Sequence, residues 1–226
     1  MQYRIASPKA EPLQIGTLLE KLHMNEESDP EDIERVGQLA GEAQALAKPR
    51  AMYRVAPIDE HGEDFVRLGE VRFSSALVAE NLKDCGICVP YVATCGTELA
   101  AWADGFRDDF LAQFWADAIM LEYHAQAVQA LNREVAQEVF GGKPYASMNP
   151  GSLPVWPISE QVALFRALGA EDGLLRPIGV RLKKSFLMVP EKSVSGIFFT
   201  NETGYVNCRL CPKASCPNRR APYQEG

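Results

Sequence analysis

Three cysteines near the end of the chain carry the clearest chemical signal in the sequence. Cys208-x-x-Cys211 is followed by Cys216, so three thiols fall within nine residues. A C-x-x-C turn lets two sulfurs converge on one ion, and backbone amides that point at the sulfurs support the thiolate form. We therefore predict a metal site at Cys208, Cys211 and Cys216, and the spacing fits both an iron–sulfur cluster and structural zinc. The competing interpretation is free thiols or an incidental redox pair.

A second cysteine group borders an apolar, β-branched segment in the first half of the chain. It consists of Cys85, Cys88 and Cys95, and one of these thiols could supply the fourth metal ligand. Cysteine beside a buried strand often serves as a small hydrophobic residue. We favour that second interpretation for this group.

The common signatures of catalysis are missing from the sequence. It has no glycine-rich fingerprint for dinucleotides or phosphates, and Ser195 lacks the flanking glycine of a nucleophile elbow. The histidines, His23, His61 and His124, have no partner at metal-ligand spacing. These observations argue against a Rossmann domain and against conventional acid–base hydrolysis.

Composition indicates an ordinary globular protein with an acidic balance. The 226 residues are 46% hydrophobic and 23% charged, and the formal net charge is −7. Lys213, Arg219 and Arg220 form a basic patch too small to follow phosphates, so we expect no nucleic-acid partner. Because no apolar run reaches membrane-spanning length and the start lacks a signal-peptide pattern, we expect no membrane partner. We expect a cytoplasmic location, where thiols stay reduced.

Periodicity and end signals predict helices and strands in an irregular order. Helices are predicted over residues 13–24, 30–47, 74–84, 97–140 (with a break near Gly105) and 158–168. Strands are predicted over residues 50–57, 86–94, 180–189 and 194–199, with a loop over 143–157. Because helices and strands do not alternate regularly, we predict an α+β fold, a mostly antiparallel sheet flanked by helices. Residues 1–200 should form one domain, extended by the helices of 13–47, and 201–226 a cysteine-rich tail.

Apolar residues at three-four spacing predict the buried face of the long helix. This stripe contains Phe110, Phe114, Ala118, Leu121, Ala125, Val128, Leu131, Val135 and Val139. Gly141 and Gly142 then end the helix.

The final third of the chain resembles a known family. Residues 178–182 read IGVRL, 185–190 read SFLMVP, and 193–196 read SVSG with Phe199 shortly after. These residue types at this spacing are similar to the end of the activation domain of cobalamin-dependent methionine synthase. The resemblance is closest over residues 110–207, and the cysteine tail resembles the shorter, stand-alone members found in anaerobes.

The resemblance implies a corrinoid protein or cobalamin-dependent methyltransferase as partner. The family's domain binds S-adenosylmethionine on a shallow surface and docks over the corrinoid. When cobalt has slipped to the inactive cob(II) state, an electron donor supplies one electron, and methyl transfer from S-adenosylmethionine then traps the reduced cobalt. The domain contributes positioning more than acid–base groups.

The resemblance also implies a ligand site, with departures from the family. The implied site residues are Glu122, Tyr145, Asn149, Pro150, Gly151, Ser195, Gly196 and Tyr205. The family's arginine in the ligand loop is replaced by Ser147, and its acidic residue on the long helix by Ala125. Loss of both charged contacts weakens binding unless Glu122 or Tyr145 compensates.

Three functions are compatible with the sequence. The first is an accessory for reductive reactivation of a corrinoid protein, with the cysteine tail delivering the electron through an iron–sulfur cluster. The second is an S-adenosylmethionine-dependent corrinoid methylase in which other residues replace the lost arginine and acid. The third is a non-catalytic binding module with structural zinc.

Overall fold

The computed structural model describes residues 2–25, 27–202, 204–213, 215–216 and 219–224. The strands, in chain order, are β1 (Arg4–Ala6), β2 (Arg50–Tyr53), β3 (Ala56–Pro57), β4 (Glu60–His61), β5 (Phe65–Leu68), β6 (Val71–Ser74), β7 (Ile87–Thr94), β8 (Tyr145–Met148), β9 (Leu174–Leu175), β10 (Val180–Leu182), β11 (Met188–Val189) and β12 (Ser193–Thr200). The α-helices are α1 (Ile15–Lys21), α2 (Pro30–Leu46), α3 (Ala76–Leu82), α4 (Thr97–Ala103), α5 (Phe110–Glu138), α6 (Gln161–Ala167) and α7 (Asn207–Leu210). Two 3-10 turns, Asp104–Phe106 and Ile158–Glu160, precede α5 and α6.

The central sheet has the strand order β1-β2-β7-β12-β8, and β3 pairs with the start of β7. Each of these pairings is antiparallel. Two three-stranded sheets, β4-β5-β6 and β9-β10-β11, accompany it. The predicted α+β fold with a mostly antiparallel sheet is therefore confirmed.

Strand β7 is the centre of the sheet because its sequence is apolar on both faces. Its side chains alternate between two cores: Cys88 and Val92 face one, and Val89 and Tyr91 face the other. Helix α5 covers the second of these faces, and α3 and α6 belong to the core on the first. Helices α1, α2 and α4 pack against the N-terminal half of α5 in a third cluster.

Several helix boundaries follow local sequence signals. The Asp29 side chain accepts from the Glu31 amide, and Pro30 is the first helical residue of α2. The Ser75 hydroxyl caps α3 by accepting from the Val78 amide. Gly169, at φ +87°, follows α6 in the left-handed conformation that ends helices. The starts of α2 and α3 and the end of α6 lie within two residues of the predicted bounds.

The predicted long helix is interrupted, and its predicted buried face is partly wrong. A 3-10 turn around Gly105 separates α4 from α5, as expected. Leu131 and Val135 are buried, but Phe110, Phe114 and Leu121 are 81%, 53% and 52% exposed. The N-terminal half of α5 buries another set of side chains, namely Ala112, Trp115, Ala116, Ile119 and Tyr123. The reason is that α1, α2 and α4 pack on that side, which places the stripe on the outer face.

Three further segments differ from the predictions. The predicted strand 50–57 is divided into β2 and β3, which pair with different parts of β7. Residues 180–189 are a hairpin of β10 and β11, in which Arg181 pairs with Val189, because the polar residues from Lys183 onward turn the chain. The predicted loop 143–157 contains strand β8, which pairs with β12 at the edge of the sheet. Strand β1 and the β4-β5-β6 sheet are additions that the sequence did not indicate.

No helix within the described residues combines the length and hydropathy needed to span a bilayer. The division into residues 1–200 and a tail of 201–226 stays a prediction.

Candidate functional site

The loop after β8 brings Asn149, Pro150 and Gly151 to the sheet. Gly151 has φ +85°, and its amide donates to the Trp156 carbonyl at 2.8 Å. The Ser152 amide donates to the Asn149 carbonyl at 3.1 Å. A Cβ on Gly151 would lie 3.1 Å from the Cβ of Ile158. The loop therefore requires glycine at this position for its own conformation and packing.

Asn149 is the polar centre of the site. Its Nδ2 donates to the Tyr91 hydroxyl at 2.9 Å and to the Ser195 carbonyl at 2.7 Å. These two bonds tie the loop to β7 and β12. The side chain thus has a fixed position although its residue lies in a loop.

Gly196 makes this arrangement possible. A Cβ at this position would lie 2.5 Å from the Met148 carbonyl oxygen, 2.6 Å from Asn149 Nδ2 and 2.8 Å from the Tyr91 hydroxyl. The space over Gly196 is therefore filled by the protein itself. Close packing of its own strands explains this glycine without a ligand.

Tyr91 and Ser147 complete a polar group that we call the Asn149 cluster: Tyr91, Ser147, Asn149 and Ser195. Burial raises the pKa of the Tyr91 hydroxyl, while hydrogen bonds with Asn149 and Ser147 and the positive charge of Arg220 act in the opposite direction. The Tyr91 ring stacks on Phe198 with centroids 4.3 Å apart. Hydrogen-bonding groups and aromatic faces are thus next to each other at the β8 edge.

Tyr145 and Tyr205 lie on opposite faces of the sheet. The Tyr145 hydroxyl donates to Asn132 Oδ1 of α5 at 3.1 Å, and burial raises its pKa. Tyr205 packs against Phe199 on the other face. Burial, and secondarily the charge of Cys208, raises the Tyr205 pKa. The two predicted ligand contacts therefore do not meet in one pocket on one face.

Glu122 lies apart from the Asn149 cluster. Its carboxylate forms an ion pair with Lys21 of α1 at 2.5 Å. Asn132, the partner of Tyr145, lies ten residues further along α5, which is about 15 Å along a helix axis. Glu122 is thus engaged with α1, and its role in a ligand site stays a prediction.

The tail is organised around Arg219. Its guanidinium donates to the carbonyl oxygens of Cys208, Cys211, Lys213 and Ala221 at 2.6–3.0 Å. The Arg220 amide donates to Cys208 Sγ at 3.3 Å. One amide–sulfur contact of the kind expected for a thiolate is therefore present.

The three tail thiols do not form a metal site in the structure. Cys208, Cys211 and Cys216 are half-buried. Among the described residues, no group of three or more His, Cys, Asp or Glu side chains is arranged to hold a metal ion. In the tail, the Arg219 guanidinium binds backbone carbonyl oxygens. The three cysteine sulfurs do not converge on one point.

The other cysteines are core residues. Cys85, Cys88 and Cys95 are all buried. Burial raises the pKa of Cys88, and that of Cys95 to about 12. Both remain protonated thiols at neutral pH, as expected for small hydrophobic residues and not for metal ligands.

Sequence reasoning did not single out Tyr91, Arg219 and Arg220. Tyr91 pairs with Gly196 across β7 and β12, so its signal is a strand register that the sequence alone does not give. In the sequence, the two arginines indicate only a small basic patch. Their contacts with the tail backbone depend on how the tail closes.

Comparison with known proteins gives the fold. No family model and no curated protein matches the sequence. A crystal structure of the MetH reactivation domain bound to AdoHcy matches with 15% identity and a TM-score of 0.60, over 89% of this chain and 79% of that one. At 15% identity, the likeness shows the fold of this chain and does not show its activity. The resemblance predicted from residues 178–199 is thereby confirmed: the chain has the fold of the MetH reactivation domain.

Proposed function

We propose that the protein is an accessory for reactivation of a corrinoid protein and that it binds an S-adenosyl ligand beside the Asn149 cluster. Supporting this proposal are the fold and the family-like segments that build β12 and the loop after β8. The observation that carries it is the double anchoring of Asn149 by Tyr91 and Ser195. A fixed amide beside aromatic rings is suited to a flat, polar ligand.

The residues of this chain supply position in this proposal. Asn149 presents a held amide, and Ser147 and Tyr145 line the same strand. S-adenosylmethionine, when bound, would supply the methyl group to the partner's reduced cobalt and leave as S-adenosylhomocysteine, and the residues of this chain would hold and orient it. Orientation of the two reactants is the contribution that a protein without acid–base groups can make.

We expect S-adenosyl binding to be weak. Ser147 carries no charge where the family has arginine, and Glu122 is paired with Lys21. Charge-assisted hydrogen bonds are about twice as strong as neutral ones, so two missing contacts cost orders of magnitude in affinity.

Calorimetric titration with S-adenosylhomocysteine tests the ligand site. Asn149→Ala should weaken binding by about tenfold or more, because it removes the anchored amide. Asn25→Ala, in the N-terminal loop, is the matched control and should bind as the wild type does. Undetectable binding to the wild type, or equal weakening in both variants, would reject this site.

The corrinoid partner is tested separately, with the cobalamin-binding domain of a methionine synthase as probe. Under anaerobic conditions with S-adenosylmethionine and a chemical reductant, the protein should accelerate loss of the cob(II) absorbance. Stoichiometric release of S-adenosylhomocysteine would support the second function, an S-adenosylmethionine-dependent corrinoid methylase. Unchanged cob(II) with and without the protein would count against any corrinoid role.

Electron delivery by the cysteine tail is a second candidate, favoured by the Arg220 amide contact to Cys208 Sγ and by the position of Cys208 within α7 and of Cys211 directly after its last residue. Because the three sulfurs are not gathered, we derive no electron-transfer step through a cluster. A cytoplasmic location, where six free thiols persist, fits this proposal.

Anaerobic purification with iron, zinc and sulfide analysis decides the tail question. Iron with sulfide that is lost in Cys211→Ser, and kept in the control Ser215→Ala, would support an iron–sulfur cluster. Zinc alone would support the binding-module interpretation. Metal-free wild-type protein would reject a metal at the tail.

A further inference from the structure

A cleft of about 360 Å³ opens between α4, the N-terminal half of α5 and residues 183–192. We call it the Lys192 cleft. Its volume is within the range of small-molecule sites. It shares no residue with the Asn149 cluster or the tail, so the proposed function leaves it unexplained.

One part of the cleft is apolar. Ala100 and Ala103 come from α4, Met120 from α5, and Val189 and Pro190 from the segment that leads into β12. Small and flexible apolar side chains of this kind accept an aliphatic group. They offer no hydrogen bond through their side chains, so they do not select a polar one.

The charged residues of the cleft are balanced in number. Its cations are Arg107, Lys183 and Lys192, and its anions are Asp104, Asp117 and Glu191. Two pairs are already formed, Lys192 with Asp117 at 2.7 Å and Arg107 with Asp104 at 2.9 Å. Within the described part of the chain, Lys183 and Glu191 form no ion pair. The cleft thus contains one ammonium, on Lys183, and one carboxylate, on Glu191, that have no ion-pair partner among the described residues.

The segment that carries these charges is held in place. The Cys95 amide at the end of β7 donates to the Lys192 carbonyl at 3.1 Å, and the Ser193 hydroxyl donates to the Pro190 carbonyl at 2.7 Å. The Lys183 amide donates to the Leu187 carbonyl at 2.8 Å and closes the hairpin turn. The backbone that carries Lys183 and Glu191 is therefore anchored, and both residues line a preformed cleft.

We propose that the Lys192 cleft binds a free α-amino acid with an aliphatic side chain. The ligand carboxylate pairs with Lys183, its ammonium with Glu191, and its side chain lies against Met120, Val189 and Pro190. A zwitterion suits a cleft of zero net charge, whereas a simple anion or cation leaves one of the two charges unpaired. In the Lys192–Asp117 pair the Asp117 carboxylate is 53% exposed, so this side chain can reorient around the ligand.

Three probes separate this proposal from nonspecific binding: L-leucine, 4-methylpentanoate, which lacks the ammonium, and 3-methylbutylamine, which lacks the carboxylate. Binding is followed by calorimetry or by ligand-observed NMR on the intact chain. L-Leucine should bind with a dissociation constant of about 1 mM or tighter, and each analogue about tenfold more weakly.

Variants locate the site. Lys183→Gln and Glu191→Gln should each weaken L-leucine binding by about tenfold. Lys184→Gln is the matched control, since it removes a neighbouring charge that does not line the cleft. Thermal unfolding of each variant confirms that it folds. No L-leucine binding, equal binding of the analogues, or equal effects of Lys183→Gln and Lys184→Gln would overturn the proposal.

Discussion

Asn149 lies directly over Gly196, where an added Cβ would approach the Asn149 Nδ2 atom to 2.6 Å. Because Gly196 has no side chain, the Asn149 amide can reach the carbonyl of the neighbouring Ser195 on β12. One glycine and one asparagine, 47 positions apart in the sequence, therefore form a single packing unit. The conformation of Gly196 itself is not in the left-handed region, so contact and not backbone strain explains the residue.

The first prediction concerns this contact. Gly196→Ala should destabilise the protein by about 1–3 kcal/mol, because the new methyl group meets the Met148 carbonyl, which belongs to a paired strand and cannot move easily. Urea denaturation measures the change.

Gly41→Ala is the control for Gly196→Ala. Gly41 lies in α2 with nothing within 4 Å of an added Cβ. Alanine there should stabilise the protein by about 0.5–1 kcal/mol. Equal effects of the two substitutions would show that Gly196 is not tightly packed.

The second prediction concerns the tail. Arg219→Lys should speed amide exchange of residues 207–224 by about tenfold or more, because an ammonium cannot reproduce the planar fork that binds four carbonyls. Hydrogen exchange with mass spectrometry measures the effect. Arg220→Lys should leave exchange unchanged, since the bond to Cys208 Sγ comes from its backbone amide. Similar exchange in both variants would show that the guanidinium does not hold the tail.

The third prediction concerns pH and stability. Burial, together with the charge of Lys192, lowers the pKa of His124 to about 4. Its Nε2 atom is buried and has no partner among the described residues. The unfolded chain, with a pKa near 6.5, takes up the proton first, so stability is present above about pH 6.5 and is lost as pH falls towards 4. This loss amounts to roughly 3 kcal/mol.

Stability curves between pH 7 and pH 4 check this linkage. His124→Gln should flatten the acid side of the curve. His61→Gln, on exposed strand β4, is the control and should retain the wild-type slope. A wild-type slope in His124→Gln would contradict the assignment to this histidine.

The fourth prediction concerns the two sides of α5. Phe114→Ser should change stability by less than about 0.5 kcal/mol, because this side chain is 53% exposed. Trp115→Ala should cost about 3–5 kcal/mol, because this neighbour is 6% exposed within the cluster of α1, α2, α4 and α5. Chemical denaturation of both variants decides which face is buried, and a larger loss for Phe114→Ser would restore the face predicted from periodicity.

Much of the fold was predictable because its signals are local. The caps Asp29 and Ser75, the break at Gly105 and the apolar run of β7 each depend on residues within a few positions. The stripe on α5 failed for a different reason. Two faces of that helix are apolar, and periodicity cannot tell which of them other helices will cover.

The candidate site was predictable only in part. The segments containing Asn149, Gly151 and Gly196 were indicated by their resemblance to a family, and the structure brings them together. The resemblance implies Glu122 as a site residue, and in the structure its carboxylate binds Lys21, 101 positions away. Tyr91 was missed because its importance follows from the β7–β12 register.

The sequence by itself determined helices α1 to α6, the apolar strands β7 and β12, the acidic balance, the presence of three closely spaced tail cysteines and the resemblance of residues 178–199 to a known domain end. Only the tertiary structure decided that Tyr91 meets Asn149, that Tyr145 and Tyr205 lie on opposite faces, and that a guanidinium gathers the tail backbone. Element types follow from interactions between near neighbours in the chain. Site membership follows from strand pairing and helix packing between distant segments, and many such arrangements are compatible with the same local pattern.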